Sequence, residues 1–191
     1  MSNFSVKDYW DDRYKKNGHS GWGSHDKSSV NFKKDFVNKI IKEYECKSVI
    51  ELGCGDGNQL MYFKDYEKYY GHDISPTIIE KNKIIFKGDN TKIFESDVNK
   101  LLNKKYDLAL SLDVKYNLVG YDIFEEYMNN LFSLSDIICL FTVNTEEAET
   151  ISHVKHRRIT DYITDNFPEY TLINTEMFGE TRVGFFLYIK K

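Results

Sequence analysis

The segment Val49-Ile-Glu-Leu-Gly-Cys-Gly-Asp-Gly57 constrains this chain more than any other part of it. A short apolar run ends in glycines at 53, 55 and 57, the pattern of a buried strand running into a tight loop. Glycine lets a backbone turn sharply and lets a ligand approach without a Cβ in the way. A helix is expected over Asn58–Tyr66, offering free N–H groups at its N-terminus. The dinucleotide fingerprint is G-x-G-x-x-G. This loop reads G-x-G-x-G, with Asn58 where that fingerprint needs its third glycine. Glu51, two residues before the first glycine, is a poor neighbour for a pyrophosphate. It suits a ligand with a cationic amino group. The pattern disfavours a nucleotide-dependent oxidoreductase.

The rest of the chain repeats one rhythm. Helices are expected over Val6–Tyr14 and Asn31–Tyr44, separated by a Gly/Ser-rich loop from Gly18 to Ser29. Strands follow at Ser48–Leu52, Lys68–Ile74, Ile93–Ser96, Tyr106–Leu112 and Asp136–Val143. Helices alternate with them at Ser75–Asn82, Asp122–Phe132 and His153–Phe167; Ser75-Pro76 is a favourable helix start. Thr171–Met177 and Val183–Ile189 close the chain as a hairpin around Gly179. Alternating strands and helices imply a mostly parallel sheet with helices on both faces, and the short final connection implies an antiparallel last pair. The sum is a seven-stranded α/β sheet. At 191 residues the chain fits one domain: a helical cap or lid over 1–45 and a core over 46–191.

Two further carboxylates fall at strand ends. Asp73, followed by Ile74, lies 20 positions after Gly53, where an acidic residue can take both hydroxyls of a ribose. Asp97 ends the third strand; it can accept from an adenine amino group while the Val98 N–H serves the ring. Open α/β sheets bind ligands at this edge.

The net charge of −4 and the lack of a basic arm argue against nucleic-acid binding. Cys46, Cys54 and Cys139 are widely spaced, which suits a reduced, cytoplasmic protein. The polar N-terminus has no apolar signal region, and the longest apolar run, Ile137 to Val143, is strand-sized, so no membrane association is expected.

With these residues in place, the chain resembles the class I methyltransferases that use S-adenosylmethionine (SAM), from the glycine loop to the final hairpin. The resemblance implies a Rossmann-like fold. It implies that Gly53, Gly55 and Gly57 line the methionine part, Asp73 holds the ribose and Asp97 contacts adenine. Tyr9, Trp10 and Arg13 could then form a lid over SAM. A narrower similarity is carried by Tyr9-Trp-Asp-Asp-Arg-Tyr14, Ser20-Gly-Trp-Gly-Ser24, Ser111-Leu-Asp-Val114, the Phe124-Glu-Glu-Tyr-Met128 helix and His153-x-x-His156-Arg157. These segments resemble a bacterial subfamily that accompanies capsule and surface-polysaccharide genes, including methyltransferases of the capsular phosphoramidate group. Lys115 and Asn117 depart from that pattern.

The acceptor side is expected beyond the fifth strand, which ends near Asn144. Ser152-His-Val-Lys-His-Arg-Arg158 is the most basic stretch of the chain. On a helix His153 and His156 share a face. Either could be a general base. With Asp113 they could instead hold a divalent metal, Mn or Mg. Arg157 would clamp an anion, with Tyr116 and Asn144 beside it. The reading is O-methylation of a small anionic acceptor: a phosphate, phosphoramidate or sugar derivative. The alternatives are N-methylation of a small molecule or macromolecule, and a non-catalytic SAM-binding module. Leu112-Asp-Val-Lys-Tyr116 lacks the prolines of the amino-methylating DNA enzymes.

Overall fold

The computed structural model describes residues 4–146 and 153–191. Among these, α1 (Val6–Lys15), α2 (Trp22–His25) and α3 (Lys27–Glu43) precede the sheet. Strands β1 (Ser48–Leu52), β2 (Lys68–His72), β3 (Lys92–Glu95), β4 (Leu108–Leu112) and β5 (Ile137–Val143) follow, with α4 (Pro76–Ile85) after β2 and α5 (Tyr121–Leu134) after β4. Then come α6 (Ile159–Asn166), β6 (Tyr170–Met177) and β7 (Val183–Lys190). The sheet order is β3-β2-β1-β4-β5-β7-β6. β1 to β5 run parallel, and β7 pairs antiparallel with both β5 and β6. The expected seven-stranded mixed sheet with a C-terminal antiparallel hairpin is the observed one. Strand order reverses between β1 and β4, which opens a crevice at their carboxyl ends.

Side-chain alternation sorts the core into two layers. Ile50 and Leu52 of β1, Ala109 of β4 and Ile138 and Leu140 of β5 face Phe124, Met128 and Leu131 of α5 and Ile159 and Ile163 of α6. Val49, Leu108, Leu110, Cys139 and Phe141 face Phe36, Val37, Ile40 and Ile41 of α3. No helix among the described residues is long and apolar enough to cross a membrane.

Three elements differ from the sequence expectation. The segment 58–66 contains only a 3-10 turn, Leu60–Tyr62. Asn38 of α3 captures its backbone: the side chain donates to the Tyr62 carbonyl at 3.0 Å and accepts from the Lys64 N–H at 2.9 Å. The Gly/Ser-rich stretch folds into α2 and the start of α3. The Asp26 carboxylate caps α3, accepting from the Ser28 and Ser29 N–H groups at 3.0 Å each. Asp26→Ala is expected to lower stability by about 1 kcal/mol, as read by urea unfolding. The last helix starts at Ile159, so His153 and His156 do not share a helix face. The residues before it are not helical, and the Lys155 N–H donates instead to the Tyr116 carbonyl at 2.8 Å. Ser152, which opens the basic stretch, lies outside the described residues.

Candidate active site

A cleft of about 310 Å³ sits at the crevice between β1 and β4. Its floor is the glycine loop. Gly53 (φ +87°) and Gly55 (φ +54°) take left-handed conformations, and both are crowded. A Cβ on Gly53 would come within 2.3 Å of Val114, and one on Gly55 within 2.3 Å of the Ser20 hydroxyl. The loop is therefore pressed between the end of β4 and the Ser20 segment. No α-helix follows it. Its backbone donors are met by side chains: the Ser20 hydroxyl accepts from Asp56 N–H at 2.8 Å, and the Asp56 carboxylate accepts from Ser20 N–H at 2.8 Å. His25 Nε2 joins the same carboxylate at 2.7 Å.

Glu51, Asp73 and Asp97 line this cleft with Gly53, Gly55, Ile74 and Val98. Asp73 is held by backbone, accepting from Ser75 N–H at 2.9 Å and Gly55 N–H at 3.1 Å. Burial nevertheless pushes its pKa up to about 6. Glu51 is 4% exposed, and burial pushes its pKa up to about 7 against the Tyr69 hydroxyl, which donates to it at 2.6 Å. Two buried carboxyls held above their usual range beside open space mark a place that a cationic ligand would stabilise. Asp97 also caps the turn after β3, accepting from the Asn99 N–H at 3.1 Å.

Helix α1 forms one wall. Asp11 ties it to α4, accepting from the Ser75 hydroxyl at 2.6 Å and Thr77 N–H at 3.2 Å. The Lys15 ammonium and these bonds hold the Asp11 carboxyl well below the usual range. This docking places Trp10 and Tyr14 in the cleft lining, stacked at 5.7 Å. Arg13 and Tyr9 are not in the lining. Arg13 Nε donates to the His19 carbonyl at 2.7 Å, with the guanidinium over Trp10. Tyr9 stacks on the His153 ring at 4.9 Å.

The acceptor-side residues expected from sequence are not gathered here. Asp113 reaches the cleft, but its carboxylate is engaged by the fully buried Lys33. His153 packs on Tyr9, and His156 lies edge-on to Tyr116 at 6.2 Å. The expected metal set is thus corrected: among the described residues, no three His, Cys, Asp or Glu side chains group to hold an ion. Arg157, expected as an anion clamp, is not among the described lining residues. Its guanidinium donates to the Leu118 and Val119 carbonyls at 2.7 and 2.8 Å and lies over the Phe124 ring, which locks the loop before α5. The buried Lys115 ammonium donates to the Arg157 carbonyl, and burial pushes its pKa down to about 7. The Asn144 side chain binds Thr160 at the start of α6. These residues carry structure because buried or half-buried backbone carbonyls need donors, and Lys115 and Arg157 supply them.

Sequence reasoning missed Lys33, Gln59 and Asp56. The resemblance singles out the Ser20–Ser24 clasp, but not its hydrogen bonds to the glycine loop and Gln59.

No protein-family model matches the sequence, and a search of curated proteins gave no match. Solved structures do match in fold. The N-methyltransferase NodS from Bradyrhizobium japonicum WM9, in complex with S-adenosylhomocysteine (SAH), superposes with a TM-score of 0.77 at 12% identity, covering 98% of this chain and 99% of that one. Magnesium protoporphyrin IX methyltransferase ChlM from Synechocystis PCC 6803, with bound SAH, gives 0.71 at 19% identity over 97% and 98%. The methyltransferase domain of bacterial CtHen1 gives 0.66 at 19% over 84% and 98%. The chain carries the Rossmann-like methyltransferase fold.

Proposed function

We propose that this protein is a SAM-dependent methyltransferase with a small-molecule acceptor. One observation carries the reading: Glu51, Asp73 and Asp97, from the ends of three adjacent strands, line a single cleft with the glycine loop. Asp73 then takes the ribose hydroxyls, Asp97 and Val98 the adenine, and the glycine loop the methionine part. The cap over residues 1–45 and the core over 46–191 act as one domain, since Ser20 and Asp56 exchange hydrogen bonds across them. The three cysteines are free and buried, which fits a cytoplasmic setting. Asp73→Ala is expected to weaken SAH binding by about 1.5–3 kcal/mol by calorimetry. Unchanged affinity would remove Asp73 from the site.

The charge of the cleft bears on the acceptor. Six carboxylates line it, Glu51, Asp56, Asp73, Asp97, Asp113 and Glu126, and no lysine or arginine appears among the described lining residues. With Arg157 committed to carbonyls, an anionic phosphate or phosphoramidate finds no cation there. The cleft favours an uncharged or cationic acceptor, a hydroxyl or an amine, over the phosphoramidate that the capsule resemblance suggests. SAH release measured across amines, sugars and phosphorylated acceptors tests this. Turnover of the phosphorylated class alone would restore the anionic reading.

A further inference from the structure

We propose that Gln59 is the specificity residue for the cofactor's α-amine, an assignment that rests on the SAM reading above. Gln59 follows the glycine loop, lines the cleft and is 8% exposed. Its amide is oriented by Nε2, which donates to the Ser24 hydroxyl at 2.9 Å. Its Oε1 is buried and has no hydrogen-bond partner. A buried carbonyl without a donor is costly and uncommon in folded proteins. Gln59 lines the cleft, so a ligand bound there is the donor we assign to this carbonyl.

The surroundings define that donor. Ser24 belongs to the clasp, and its backbone carbonyl accepts from Asn58 Nδ2 at 2.7 Å. Gly23, next to it, backs directly onto Asp113: a Cβ there would sit 2.6 Å from the carboxylate oxygen. Gln59 thus meets Ser24 while Asp113, paired with Lys33, backs onto the adjacent Gly23, and the group this corner leaves without a partner is the Gln59 carbonyl, an acceptor. A ligand end placed there must bring an N–H or O–H donor to the Gln59 carbonyl. The α-ammonium of SAM or SAH has three N–H donors. The ribose and adenine lie toward Asp73 and Asp97 instead, so Gln59 distinguishes an amino-acid-bearing cofactor from its truncated nucleoside.

The test is calorimetry with two probes: SAH, and methylthioadenosine, which keeps adenine, ribose and thioether but lacks the amino acid. Gln59→Leu keeps the side-chain bulk and removes the acceptor. It should weaken SAH about tenfold while methylthioadenosine affinity stays within about twofold. Gln59→Glu keeps an acceptor and should retain SAH affinity. Equal loss for both probes would make Gln59 a structural support of the clasp and overturn the proposal, as would unchanged SAH affinity in Gln59→Leu. Loss in Gln59→Glu as large as in Gln59→Leu would assign the side chain a donor role and overturn it too. If the unsubstituted protein binds neither probe, the SAM reading itself fails, and that outcome is distinct from the others.

Discussion

Asp113→Asn is expected to cost about 3–5 kcal/mol of folding stability. The reason lies behind the cleft. Lys33 is fully buried, with its ammonium on the Gly23 carbonyl at 3.0 Å, on the Asp113 carboxylate and over the Phe141 ring. Removing the Asp113 charge takes from a buried ammonium its contacting counter-ion, leaving only the more distant Glu51 to offset it. Asparagine isolates this effect because it tolerates the left-handed backbone that Asp113 adopts at φ +61°. The reverse change is milder. Lys33→Met leaves the Asp113 carboxylate beside the cleft, where its side chain is 16% exposed and water can reach it. The double variant Lys33→Met/Asp113→Asn should recover most of the loss, because no buried charge remains. Urea unfolding of the three variants checks this. A loss below about 1 kcal/mol for Asp113→Asn would show that the pair contributes little.

The second large effect is on ligand affinity. Glu51 and Asp73 hold their protons up to about pH 7 and 6 in the free protein because burial penalises their charged forms. A cationic cofactor stabilises those charged forms, so binding releases protons. The sign follows: SAM affinity is full above pH 7 and falls as pH drops through the free-protein values. Each group contributes up to about tenfold per pH unit below its free-protein value, so Glu51 alone gives about a fiftyfold weakening between pH 7 and 5. The free protein behaves oppositely. Folded-state pKa values above the unfolded 4.5 and 3.8 mean that these two groups favour folding at acid pH, and that contribution is lost as pH rises through 6 and 7. SAH should accordingly raise the melting temperature more at pH 8 than at pH 5.5. A pH-independent dissociation constant between pH 5 and 8 would show that neither carboxyl meets a positive ligand.

Local rules were enough to read the sheet and the cofactor side of the cleft from sequence. Short continuous apolar runs such as Leu108–Leu112 and Ile137–Val143 have the length and residue types of strands buried on both faces, and a glycine loop after β1 fixes where the crevice opens. Glu51, Asp73 and Asp97 were legible because each sits at a fixed distance from a strand end, so backbone geometry alone brings them to one edge. The opposite wall was not legible. His153, His156 and Arg157 look like a helix face in sequence. The chain there is not helical, and the carbonyls of residues 118 and 119, remote in sequence, claim the guanidinium. Likewise Asn38, twenty-odd residues upstream, decides that segment 58–66 makes no helix. Lys33 drew no sequence expectation, yet α3 carries it beneath the cleft to Asp113, eighty residues away. Hydrogen-bond partners of polar side chains are chosen by proximity in space, and no periodicity encodes that proximity. The sequence determined the sheet, its order of strands and helices and the acidic edge. Tertiary packing decided which charges face the cleft and which hold the frame.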